Sequence, residues 1–207
     1  MYVGGFERNF PNLSTSTKSF TGTDGKEHPY QPWPPSADGL RISYMAKAFP
    51  RSRFRGFDTH AASIDEARRL AFAEGVADRV AFDVAGAVDY DGADFGVITF
   101  FDCLHDLGDP VAAARQAAGA LAPGGTLMVV EPFANDRVAD NLSPVARLYY
   151  AASTVVCCAH AISEGGALVL GAQAGEARLT EVFRKAGLTH VRRAAQTAFN
   201  LILEVRH

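Results

Sequence analysis

Cysteine is scarce. The 207 residues hold three, Cys103, Cys157 and Cys158. An odd number with two adjacent is no disulfide framework and points to a reducing, cytoplasmic setting. Charge of one sign is scarce as well. Twenty Lys and Arg against 23 Asp and Glu leave a net charge of −3, so there is no electrostatic case for binding nucleic acid or an anionic membrane. No unbroken apolar run approaches the length of a membrane span. The start, Met1-Tyr2-Val3-Gly4-Gly5-Phe6, lacks the basic and apolar regions of a signal peptide. No G-x-S-x-G elbow occurs, so a Ser/His/Asp hydrolase has no nucleophile. Metal ligands are thin too. Asp58-Thr59-His60 and His105-Asp106 have no third or fourth partner at a recognisable spacing, and no metal site is expected.

Regular structure is lacking at the start. Residues 1–39 are rich in turn formers, and Pro29, Pro32, Pro34 and Pro35 surround Tyr30 and Trp33. Proline removes a backbone donor and fixes φ, so an irregular or disordered arm is expected there. Residues 40–207 are different. The chain is 48% hydrophobic and 21% charged, an ordinary composition for one sizeable core. A helix is expected over 42–49, ending before Pro50. Short β-branched or aromatic runs predict strands over 53–58, 79–84, 95–101 and 126–131. Between them, Ser63 and Glu66 form a capping box for a helix over 63–74, stopped by Gly75. Asp109 and Pro110 open a helix reaching residue 121. Helices over 143–156 and 176–186 follow, with an antiparallel pair of strands over 189–194 and 199–205. Strands alternating with helices predict a mostly parallel α/β sheet with an antiparallel closing hairpin.

Chemistry is expected at the end of the third strand. Phe100-Phe101-Asp102-Cys103-Leu104-His105-Asp106 passes at once from an apolar run to a polar cluster, and ligands of open α/β sheets bind beyond the carboxyl ends of the strands. His105 titrates near neutrality and is the candidate general base, with Asp106 or Asp102 to orient it. Asp58 ends the first of these strands, where a carboxylate can accept the two ribose hydroxyls of a nucleotide-like cofactor. Ala85, Gly86 and Ala87 follow the second, small enough for a flat base to approach the backbone. Cys157-Cys158 lies on a helix and reads as core packing.

In order, Phe54-Arg55-Gly56-Phe57-Asp58, Arg79-Val80-Ala81-Phe82-Asp83-Val84-Ala85-Gly86-Ala87, residues 100–110 and Leu121-Ala122-Pro123-Gly124-Gly125 leading to Glu131 resemble class I S-adenosylmethionine-dependent methyltransferases. The similarity is in particular to the catalytic domain of actinobacterial small-molecule methyltransferases, whose full-length members carry an N-terminal winged-helix domain; no segment of this sequence reads as one. The resemblance implies a Rossmann-like fold, S-adenosylmethionine as cofactor and a small-molecule acceptor, with a hydroxyl oxygen as the methylated atom. It implies Asp58 on the ribose, Ala85, Gly86 and Ala87 beside the adenine, Phe101 next to the cofactor, and His105 as the base that deprotonates the acceptor. It also implies an acceptor pocket lined from residues 133–174, where Tyr149, Tyr150 and Val155 suit an apolar or aromatic molecule.

The sequence departs from that pattern twice. Gly86 stands where an acid usually bonds the adenine amino group, so Asp83 or Asp89 is expected to compensate. The fold's first strand and glycine-rich loop are missing or replaced: their place holds Trp33-Pro34-Pro35-Ser36-Ala37-Asp38-Gly39-Leu40-Arg41-Ile42-Ser43. The sheet is therefore expected to be incomplete at its N-terminal part, as in a truncated domain, with an open strand edge that favours a homodimer. The alternative function is an inactive remnant acting as a binding protein. An NAD-dependent dehydrogenase ranks last, because it too needs the absent glycine fingerprint.

Overall fold

The computed structural model describes residues 19–21, 27–29 and 37–207. Strands β1 (Ser19–Thr21) and β2 (Glu27–Pro29) pair antiparallel. Helix α1 (Ala37–Ala48) begins earlier than expected, inside the stretch read as an arm. The remainder of that arm lies outside the described residues. Two β–α–β units follow. In the first, β3 (Phe54–Asp58), α2 (Ala61–Ala73) and β4 (Val80–Val84) place the two strands parallel, with Asp58 opposite Val84. In the second, β5 (Phe95–Phe101), α3 (Pro110–Ala120) and β6 (Leu121–Pro132) do the same, with Phe101 opposite Val130. Asp109 caps α3 as predicted, its side chain accepting from the Ala112 N–H at 2.8 Å.

The closing hairpin is also as predicted. β7 (His190–Gln196) and β8 (Asn200–Arg206) are antiparallel, and β8 lies against β6, giving the order β5-β6-β8-β7. Among the described residues β3 pairs with β4 alone and β5 with β6 alone, and no strand bridges the two. The sheet is mostly parallel and incomplete where the sequence lacks a first strand.

One core nevertheless joins the two units. Phe57 of β3 stacks on Tyr90, ring centroids 4.8 Å apart, in a cluster with Ile98, Phe100, Leu127 and Leu203. A second cluster seats α1 and α2 on β4 through Ile42, Ala46, Ile64 and Phe82, with Phe101 packed against it. Gly56 is what allows that close seat. A Cβ there would lie 2.5 Å from the Phe82 ring and 2.9 Å from Ile42. Gly56→Ala is expected to destabilise by about 1–3 kcal/mol through overpacking, read as a lower midpoint in urea.

Two local expectations are corrected. Ser63 is not the cap of α2. The helix starts one turn earlier, after His60, with no side-chain cap bond. The Asp58 carboxylate instead accepts from the His60 N–H at 2.8 Å and organises the turn before the helix; Ser63 Oγ meets His60 Nδ1, and Glu66 pairs with Arg69. Secondly, the helix expected over 143–156 runs on. α4 (Pro144–Ala152), a π turn (Ser153–Cys157) and α5 (Cys158–Ser163) form one helix, Pro144–Ser163, of 20 residues and mean hydropathy 1.3. By length and composition it could cross a membrane, although no such run was expected. Here its buried residues, among them Ala146, Ser153, Cys157 and Ala161, face the protein body. The last helix, α6 (Gly175–Lys185), packs on α3.

Candidate active site

The site is built where β5 and β6 end side by side. At the end of β5 the chain turns through Asp102, whose φ of +54° is rare for a residue with a side chain and whose N–H donates to the Val130 carbonyl at 2.6 Å. A single 3₁₀ turn, Leu104–Asp106, follows. The β5–β6 register brings Glu131 level with this turn. Its Oε1 accepts from the backbone N–H groups of Cys103 at 3.2 Å and Leu104 at 2.9 Å. Its Oε2 lies 2.5 Å from His105 Nδ1. Both side chains are buried.

Glu131 thus orients His105, the part expected of Asp106 or Asp102. The sequence showed it only as the acid closing a strand. A carboxylate on Nδ1 fixes the ring and leaves Nε2 for other work. Nε2 faces Asp106, 3.3 Å away at Oδ1. The Cys157 thiol, from the π turn, also hydrogen-bonds the ring.

Burial alone would lower the His105 pKa. Although burial is the largest single influence, the charge of Glu131, the hydrogen bonds to Cys157 and Glu131 and the charge of Asp106 together outweigh it, and the imidazole is held well above its ordinary 6.5. A group whose pKa is raised on folding contributes stability that is complete below its unfolded pKa and is lost as pH rises through the folded one. The stability advantage of the wild type over His105→Gln should therefore be largest below about pH 6.5 and shrink steadily above it, measured by urea melts across pH in the presence of a chelator.

The residues expected to hold a cofactor stand at the ends of β3, β4 and β5. Asp58 is buried, and its backbone carbonyl accepts from the Ala85 N–H at 3.1 Å, tying the two strand ends together. Ala85 is partly buried and Ala87 is inside the core beside Tyr90. Gly86 donates from its N–H to Asp89 Oδ1 at 2.6 Å, and a Cβ on Gly86 would meet that same oxygen at 2.8 Å. A side chain at Gly86 would therefore displace the Asp89 carboxylate. Both acids expected to compensate for it are already engaged, Asp89 here and Asp83 with Arg55 at 2.6 Å.

Residues 36–127 match a family model described as a methyltransferase domain. About four fifths of the chain superposes on solved structures that include O-methyltransferases. PigF with S-adenosylhomocysteine matches at TM-score 0.66 and 17% identity, over 82% of this chain and 48% of that one. The mitomycin 7-O-methyltransferase MmcR matches at 0.65 and 22%, over 82% and 46%. The O-methyltransferase NcsB1 of neocarzinostatin biosynthesis, bound to S-adenosylhomocysteine and 1,4-dihydroxy-2-naphthoic acid, matches at 0.63 and 24%, over 81% and 46%. This chain has the class I methyltransferase fold. It spans about half the length of the structures it matches.

Within this methyltransferase fold the segment expected to line an acceptor pocket borders a cavity of about 420 Å³. Tyr150, Ser153, Thr154 and Cys158 of the long helix line it, with Gln173 and Arg178 opposite. Tyr149 does not line it. Its hydroxyl donates to the Phe199 carbonyl at 3.2 Å, and burial, then the charge of Asp102, push its pKa up. Val155 points outward and is 73% exposed.

Proposed function

We propose that the protein transfers the methyl group of S-adenosylmethionine to a hydroxyl oxygen of a small aromatic or apolar acceptor, with His105 as general base. The observation that carries this is the buried His105–Glu131 pair, 2.5 Å apart, where β5 and β6 end in a methyltransferase fold. S-adenosylmethionine, when bound, supplies an electrophilic methyl group on a sulfonium. His105 Nε2 would take the proton of the acceptor hydroxyl as that oxygen receives the methyl group and S-adenosylhomocysteine leaves. Glu131 holds the ring and stabilises the imidazolium, and Asp106 adds to that stabilisation. Most of the remaining contribution is proximity and orientation.

The residues present suit the ribose and adenine portion. Asp58 provides the carboxylate, Ala85, Gly86 and Ala87 provide a small-residue border, and Phe101 provides an aromatic wall. The expected glycine-rich cradle for the methionine portion has no counterpart among the described residues. That favours the second reading, a protein that keeps the sheet and has lost catalysis. The edges of β3 and β5 that are unpaired among the described residues support self-association, to be seen as a mass of twice 22.1 kDa by light scattering.

The direct test uses methyl-labelled S-adenosylmethionine with hydroxylated naphthoic acids and simpler phenols, in chelator. A labelled methyl ether supports the enzyme. A folded protein that binds S-adenosylhomocysteine yet labels none of them supports the remnant.

A further inference from the structure

Two buried groups beside His105 exceed what a general base needs. Asp106 and Cys157 come from different elements, the 3₁₀ turn after β5 and the π turn of the long helix. Both are less than a tenth exposed. One ligand atom from each, with one from His105, lies within 4.8 Å of the others. A buried carboxylate, a buried thiol and an imidazole nitrogen are thus gathered at one point, from two separate elements.

We infer that His105, Asp106 and Cys157 form a binding site for a divalent transition metal of the zinc class, which regulates the site proposed above by occupying its base. The donor set is one imidazole nitrogen, one carboxylate oxygen and one thiolate, three protein ligands of the kinds zinc takes in sites that keep a fourth position open. Nε2 is the nitrogen available to the metal, because Nδ1 bonds Glu131. A ligating histidine whose other nitrogen is held by a carboxylate is the usual support of a metal site, and here Glu131 is fixed in turn by two backbone N–H groups. Nε2 and Asp106 Oδ1 are 3.3 Å apart, the spacing of two corners of a tetrahedron around a zinc-sized ion. The soft sulfur selects zinc, cobalt or copper over magnesium or calcium. On binding, the Cys157 S–H bond and the Nε2–H bond of the protonated His105 break, the sulfur–metal and nitrogen–metal bonds form, and both protons go to solvent. With the metal in place, the Nε2 lone pair no longer accepts a proton, so methyl transfer stops without loss of the fold.

Only the three-dimensional arrangement assembles this set. In the linear sequence, His105-Asp106 lies some fifty positions from Cys157 and has no ligand spacing.

The test uses the full chain, freed of metal with chelator and titrated with Co²⁺ alone. One equivalent should give tetrahedral d–d bands and a thiolate-to-cobalt charge-transfer band, and Zn²⁺ should abolish both. Cys158→Ala and Cys103→Ala should keep the charge-transfer band. Cys157→Ala should lose it, and His105→Gln should weaken cobalt binding at least tenfold while leaving the sulfur available. If Cys157→Ala does not fold, His105→Gln and the two cysteine controls decide alone. No band at stoichiometric cobalt, or a band that survives Cys157→Ala or vanishes with Cys158→Ala, overturns the site. The readout involves no cofactor or acceptor, so it stands apart from a failure of the methyl-transfer proposal.

Discussion

Glu131→Ala should lower the stability of the protein by about 3–5 kcal/mol, the usual cost of leaving one member of a buried ionic pair behind. In a chain of this size that is a drop in Tm of roughly 6–20 °C, at about 2–4 °C per kcal/mol. The loss is large because one carboxylate serves three donors. Removing it strands the N–H groups of Cys103 and Leu104 and the Nδ1 of His105, all at the bend where β5 becomes the site. Glu131→Gln keeps the shape and can still accept from the backbone, so its loss of stability should be smaller. It removes the charge that does most to raise the His105 pKa, so the His105 ring, followed by NMR, should titrate at lower pH than in the wild type. If the two variants are equally mild, Glu131 is not the keystone of this bend.

His105→Gln should reduce methyl transfer by about 10²–10⁴-fold, the range that a positioned general base contributes, and leave the affinity for S-adenosylhomocysteine nearly unchanged. The base works only when deprotonated, and its pKa is raised. Transfer by the wild type, in chelator, should therefore rise with pH across the alkaline side of neutrality, and the Glu131→Gln rise should begin at lower pH. A parallel loss of cofactor affinity in His105→Gln would give the residue a binding role instead.

Much of the fold was legible because it is local. The apolar run over Phe95–Phe101 and the Asp109-Pro110 start of α3 each carry their signal within a few residues, and both appear where they were expected. The capping box at Ser63 misled because a stronger local device stands before it. Asp58 takes the His60 N–H and starts the helix a turn sooner. The length of the Pro144–Ser163 helix was hidden by its π turn, which shifts the apolar spacing midway.

The candidate site was half legible. His105 could be chosen from its place after a buried strand. Asp106 could be chosen with it, as its neighbour in the chain; Glu131 and Cys157 could not, because they depend on register and on packing. Glu131 reaches it through the parallel pairing of β5 with β6, twenty-six positions along the chain. Cys157 reaches it from a helix whose sequence suggested only core. Asp83 and Asp89 likewise have partners that local sequence does not reveal, Arg55 and the Gly86 N–H.

Calorimetric titration of S-adenosylhomocysteine into the folded wild-type chain tests most directly whether this methyltransferase fold still serves its cofactor. Saturable heat with one site per chain, weakened at least tenfold in Asp58→Ala, is the predicted result. No heat at millimolar ligand from protein shown to be folded, or binding indifferent to Asp58, would contradict it.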